Sequence, residues 1–287
     1  MFPSADPKNP SAVAAWVRQK FLKLYPSSPT TLLEPLFVGV AELFDGRHPA
    51  YGAIDLRYHD LEHTLEATVC LTELLDGFQR SAPGDALTAR QFELALAAVL
   101  LHDAGYLKLR PDSQGTGAKY TFCHVLRSCA FAASYLPSLG VSEAEIGTVL
   151  SAINCTGPTK EISRLAFASP NERFIGNAVA TADYLGQMAA ADYPSELRVL
   201  FAEFEESDDY VQRPLNQRLF ASAEDLIEST PAFWRSVVHP KLDREFQGAY
   251  RYLAKPFPDG SNPYLDAVAR NIDVIERGLA TLKGPVR

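Results

Sequence analysis

Cysteine is scarce in these 287 residues: Cys70, Cys123, Cys129 and Cys155 are the full set, and no two are spaced as a CxxC pair. Four scattered thiols cannot staple a chain of this length, so a disulfide scaffold is excluded and reduced thiols in a cytoplasm are expected. Long apolar runs are also missing. The longest, Leu94 to Leu101, is far shorter than the ~20 residues a membrane span needs. The opening MFPSADPKNP has neither a basic n-region nor an apolar h-region, so no secretory signal is expected. No long basic tract occurs and the net charge is −8, which argues against nucleic acid as a bulk electrostatic partner. Alternating runs rich in Val, Ile and Thr are absent, and with them the basis for a sheet. Internal repeats and low-complexity segments are absent too. The stretch RPDSQGTGAK, Arg110 to Lys119, lacks the GxxxxGK[ST] spacing of a phosphate loop and has no strand before it; it reads as a flexible insertion.

What is present is helical punctuation. Ser142-Glu143-Ala144-Glu145 forms a capping box ahead of Ile146, Val149, Leu150 and Ile153. Ser169-Pro170-Asn171-Glu172 forms another, with Pro at the first helical position. Thr230-Pro231 and Asn262-Pro263 read as further starts, the latter leading a stripe of Val268, Ile272, Ile275 and Leu279. The expectation is an all-α protein of roughly ten or more helices, with a core over residues 30–192 and peripheral helices over 193–287.

Three inward-facing polar groups stand out. In YHDLEHT, His59 and His63 are four residues apart, which on one helix places both on the face continued by Ala67, Cys70 and Leu74. Glu93 to Leu101 is apolar nearly all round and ends in His102-Asp103, with Gly105 placed to cap it. A buried carboxylate at the negative end of a helix dipole is costly unless a cation offsets it. Asp183, in TADYLGQM, continues a small apolar face through Ala180, Val179, Gly176 and Ile175 and has no basic neighbour on its helix. Taken singly, each group could be a satisfied core histidine or one half of a salt bridge. Taken together, His63, His102, Asp103 and Asp183 suit a divalent transition metal such as Mn, Fe, Ni, Co or Zn.

The order H…HD…D on helices resembles the HD superfamily of metal-dependent phosphohydrolases. YHDLEHT also resembles the YHNxxHA signature of class I cyclic-nucleotide phosphodiesterases, and the likeness spans Tyr58 to Gln187. The resemblance implies an HD-like helical bundle in which His63, His102, Asp103 and Asp183 are metal ligands. It further implies that His59 protonates the leaving oxygen, with Asp103 or Asp183 orienting a water. His124, at a helix start, would serve a weaker second ion or the phosphate. Arg127 and Lys108 are candidate phosphate contacts, as are Lys119 and Lys160.

Some positions depart from the family pattern. Tyr106 stands where the phosphodiesterase branch has another histidine, and Ile153 to Thr156 lacks the extra histidine of binuclear HD oxygenases. The expected function is metal-dependent hydrolysis of a phosphomonoester or phosphodiester, a nucleotide among the candidates, with a small anionic substrate and neither nucleic acid nor membrane as partner. An iron-dependent HD oxygenase and a non-catalytic nucleotide-binding module are the alternatives, and a homo-oligomer stays open.

Overall fold

A computed structural model describes residues 2–81, 86–157 and 162–283. Lys160 lies outside these. Ten α-helices carry the described chain: α1 (Pro10–Leu24), α2 (Leu33–Phe44), α3 (Leu61–Ser81), α4 (Ala89–Leu101), α5 (His124–Tyr135), α6 (Glu143–Asn154), α7 (Pro170–Ala189), α8 (Tyr193–Tyr210), α9 (Ala223–Phe233) and α10 (Pro263–Lys283). Among the described residues the only extended pairings are two isolated bridges, Tyr51 with Leu109 and Lys255 with Ser261, so the fold is all-α. No described helix is long and apolar enough to cross a membrane. All four cysteines are free thiols, and Cys123 alone is exposed.

The starts follow local chemistry. The Ser142 box forms as the sequence implies, with Glu145 reaching back to the Ser142 N–H. Ser169 accepts from Glu172 N, but the Glu172 carboxylate reaches one residue further back, to Ala168 N. Asn262 caps α10 by accepting from Tyr264 N and Leu265 N. The expected start at Thr230-Pro231 is not one. That pair lies inside α9, which Ser222 caps, and the Thr230 hydroxyl bonds back to Leu226 O. Proline has no N–H to give to the preceding turn, and the chain beyond Phe233 continues as wider π-type turns at Trp234–Val238.

At the centre, α3 packs along α7, the most extensive helix pair in the molecule. Ile175, Val179 and Ala180 are fully buried, and Gly186 lets the backbones meet: a Cβ there would lie 2.8 Å from Ala67 N. Around this pair α4 runs almost wholly buried, from Phe92 to Leu101. One hydrophobic cluster extends from Val13 to Ile275, so the C-terminal helices share the central core. Asn271 of α10 ties them in by donating to Met188 O and Ala190 O at the end of α7.

Candidate metal centre

Four side chains from three helices meet in this core. His63 comes from the first turn of α3, His102 and Asp103 from the end of α4, and Asp183 from the middle of α7. The nitrogen His63 Nε2 lies 3.3 Å from Asp103 Oδ2 and 3.5 Å from Asp183 Oδ1. His102 Nε2 lies 3.2 and 3.5 Å from the same two oxygens. Nitrogen and oxygen therefore alternate round a closed four-membered ring. Ligands about 2.1 Å from a shared ion sit roughly 3.0 Å apart at neighbouring octahedral positions and about 3.4 Å apart in a tetrahedron. The adjacent spacings match neighbouring positions of a coordination shell, but only His63, His102 and Asp103 offer ligand atoms all within 4.8 Å of one another, and Asp183 is the wider-set fourth.

Proton placement supports the same reading. His102 Nδ1 is 2.7 Å from Val99 O. A carbonyl only accepts, so Nδ1 carries the hydrogen and the neutral ring turns a lone pair at Nε2 toward Asp103. Neither His102 Nε2 nor Asp103 Oδ2 has a hydrogen-bond partner, although both residues are buried. Lone pair against carboxylate at 3.2 Å is repulsive unless a positive charge, a metal ion or a proton on Nε2, lies between them. With no ion present, the two carboxylates hold that proton on the rings. Burial opposes charge on His63, but the Asp103 and Asp183 carboxylates outweigh it and raise the imidazole to about 10. His102 is raised for the same reason. Asp183 is likewise penalised by burial but drawn down to about 2 by the two imidazoles. His63, His102 and Asp103 form the one group among the described residues with three ligand atoms within 4.8 Å of one another.

The helix geometry expected for the first histidine pair needs correction. Asp60 accepts from His63 N and its carbonyl takes the first helical bond from Thr64 N, so α3 starts at Leu61. His59 therefore stands just outside the helix rather than one turn back on its face, with its ring 5.5 Å from that of His63. It stacks on Tyr106 at 4.6 Å, and His124 stacks on Tyr106 at 4.5 Å, with the two imidazoles 6.4 Å from each other. Tyr106 thus packs against both imidazoles. His124 is positioned as expected at the start of α5. Its Nδ1 is 2.7 Å from Thr121 O, leaving Nε2 free 3.7 Å from the second oxygen of Asp103. Gly105 is not a left-handed cap either: its φ is not positive, and its role is close approach to α5, where a Cβ would lie 2.0 Å from His124 O.

The candidate phosphate cations are engaged elsewhere. Arg127 donates to Gly105 O and Leu107 O and stacks on Tyr120 at 3.5 Å, bracing the turn that carries Tyr106. Lys108 pairs with Asp55 at 3.0 Å and also donates to Gly115 O. Lys119 is buried against Asp112 and Gln114 O. These bonds, with Glu206 accepting from the Thr116 hydroxyl at 2.6 Å, pin the segment expected to be a flexible insertion. Buried or paired cations are spent on the fold, so a substrate role for Arg127 and Lys108 loses its support.

Two side chains that contact the candidate site escaped the sequence reading. Glu203, on α8, accepts from His59 Nδ1 at 2.6 Å, from Tyr58 N at 2.8 Å and from Arg57 N at 3.2 Å. Its carboxyl falls below the usual range because these donors outweigh burial. The signal was there in principle, since Glu203 follows Leu197 and Leu200 on one helical stripe, but Glu205 and Glu206 mask it. Gln187 is the other: it accepts from Tyr58 Oη at 2.9 Å and donates to Asp183 at 3.3 Å, holding that carboxylate in line.

Residues 49–256, well over half of the chain and inclusive of every side chain above, match the model of the Npun_R2479-like family, and the chain belongs to it. No curated protein matches the chain.

Proposed function

We propose that this Npun_R2479-like protein is an HD-type metal-dependent phosphohydrolase acting on a small phosphomonoester or phosphodiester, nucleotides included. The observation that carries the reading is the buried pair His102 Nε2 and Asp103 Oδ2, 3.2 Å apart and without hydrogen bonds, inside a ring completed by His63 and Asp183. These four residues would hold a transition metal of the Mn, Fe, Ni, Co or Zn class. Bound there, such an ion would neutralise phosphoryl charge and lower the pKa of a water. His59 supplies the proton. Its Nδ1–H is committed to Glu203, so the doubly protonated ring would give its Nε2 proton to the leaving oxygen and end as a neutral imidazole still held by the carboxylate. Tyr106 keeps the His59 ring in plane for that transfer. Asp103 can orient the attacking water with the oxygen that faces His124.

A binuclear iron oxygenase is the second reading. Asp103 favours it by presenting one oxygen to His63 and His102 and the other to His124, the arrangement a bridging carboxylate needs. The test is elemental analysis of wild-type protein and Asp103→Ala after purification without added metal, followed by a phosphate-ester panel. About one or more equivalents in the wild type, lost in the variant, with metal-dependent phosphate release, is the expected result. Two irons with a mixed-valence signal would favour the oxygenase. Nucleotide-induced stabilisation without turnover would leave a binding module. No metal in the wild type after incubation with divalent ions would end the reading.

A further inference from the structure

A pocket of about 310 Å³ lies behind the metal centre, between the first turns of α3, the end of α7 and the start of α8. It shares His63 and Gln187 with the centre as a wall but has a chemistry of its own. Asp60, Glu62, Glu66, Asp192 and Glu196 line it against only Lys8 and Arg57. Tyr193, 6% exposed, also lines it, and the Tyr193 hydroxyl has no hydrogen bond to any described residue. Burial keeps that hydroxyl protonated, so it offers both a donor and an acceptor. Glu66 has neither a hydrogen bond nor an ion pair among the described residues; burial pushes its carboxyl up to about 8, so at neutral pH it rests protonated until an incoming cation draws its proton off to solvent. Such a pocket asks for positive charge and repels a phosphate ester.

A metal ion does not answer that need. Metal-competent spacing is confined, among the described residues, to His63, His102 and Asp103; the pocket carboxylates are spread too widely to share one ion. An extended cation with several charged centres fits better. The faces of Tyr58 and Tyr193 suit ammonium groups, and the volume is that of a small-molecule site. The chain supplies its own mimic at the rim. The Lys8 ammonium, on a side chain 66% exposed, sits 3.4 Å from Glu62 and 3.9 Å from Asp192. An exposed pair of this kind is weak and readily displaced.

We propose that this pocket binds an aliphatic polyamine, whose ammonium groups replace Lys8 at the rim and reach Glu66 and the Tyr193 hydroxyl inside. The proposal does not depend on the metal reading. The experiment is calorimetric titration of the full chain with spermidine at physiological salt, using wild type, Glu66→Gln, Tyr193→Phe, Lys8→Ala and Asp103→Ala. Wild type is expected to bind one spermidine, and Glu66→Gln to bind it about tenfold more weakly, the cost of one desolvated ionic contact. Tyr193→Phe weakens binding less, and Lys8→Ala tightens it by about two- to fivefold because an internal competitor is gone. Asp103→Ala binds as wild type does, so loss of the metal centre leaves this result standing. Lys8→Ala changes an exposed side chain and keeps the test valid even if Glu66→Gln does not fold. Absence of binding in both wild type and Lys8→Ala at millimolar spermidine would overturn the proposal. So would equal affinity in Glu66→Gln, or displacement by magnesium at matched ionic strength.

Discussion

Removing the Glu203 side chain tests whether α8 belongs to the site or merely lies beside it. Its carboxylate accepts three bonds, from Arg57 N, Tyr58 N and His59 Nδ1, and Glu203 is buried. Glu203→Ala orphans all three donors. An unsatisfied buried donor costs about 1–3 kcal/mol, but Arg57 is exposed and water can reach its N–H, so the sum comes to roughly 3–5 kcal/mol. That is a large share of the ~5–15 kcal/mol typical of a folded protein. Glu203→Gln keeps a carbonyl oxygen for the two backbone donors and loses only the charge toward His59, costing about 1–2 kcal/mol. Urea unfolding of the three proteins at pH 7 measures both. The acid limb adds a sign. Because the Glu203 carboxyl is held below its ordinary 4.5, its contribution is complete above that pH and is lost as pH falls through the folded value. The gap between wild type and Glu203→Gln therefore closes on acidification. Wild-type stability in Glu203→Ala, equal losses in both variants, or a gap that widens in acid would refute this account.

Two further outcomes follow from packing and charge. Gly186→Ala places a methyl 2.8 Å from Ala67 N and 2.9 Å from Ala67 Cα, forcing α3 and α7 apart; urea midpoints should show a loss of about 1–3 kcal/mol, since both contacts are backbone and cannot yield cheaply. Glu145, gripped by Arg90 through two nitrogens and drawn from 4.5 to about 2, stabilises the α4–α6 contact above pH 4.5 and loses that effect as pH falls toward 2. After allowance for solvent screening the contribution is about 1 kcal/mol, so Glu145→Gln should lower neutral-pH stability by that amount and leave it unchanged below pH 2.

Much of this molecule is local, and local chemistry was legible. The capped starts at Ser142, Ser169 and Asn262 need only neighbours in sequence. So does the buried stripe through Val268, Ile272 and Ile275 of α10. The grouping of His63, His102, Asp103 and Asp183 could also be anticipated, because each is a costly polar group on an otherwise apolar face, and one cation relieves all of them. What escaped were the side chains whose roles come from partners far along the chain. Glu203 contacts His59 from 144 positions away, on a helix expected to be peripheral. Arg127 and Lys108 carry the charge a phosphate site wants, but carbonyls and a carboxylate from other segments claim them first. The tight hold on Arg110 to Lys119 comes from Asp55 and Glu206, which no local pattern reveals. Sequence by itself determined the all-α class, the capped helix starts at Ser142, Ser169 and Asn262 and the identity of the buried metal-competent groups, since these follow from local capping, periodicity and the cost of burying charge. Tertiary structure alone decided which donor meets which acceptor, because a hydrogen bond or an ion pair depends on a few ångströms between segments that only folding brings together.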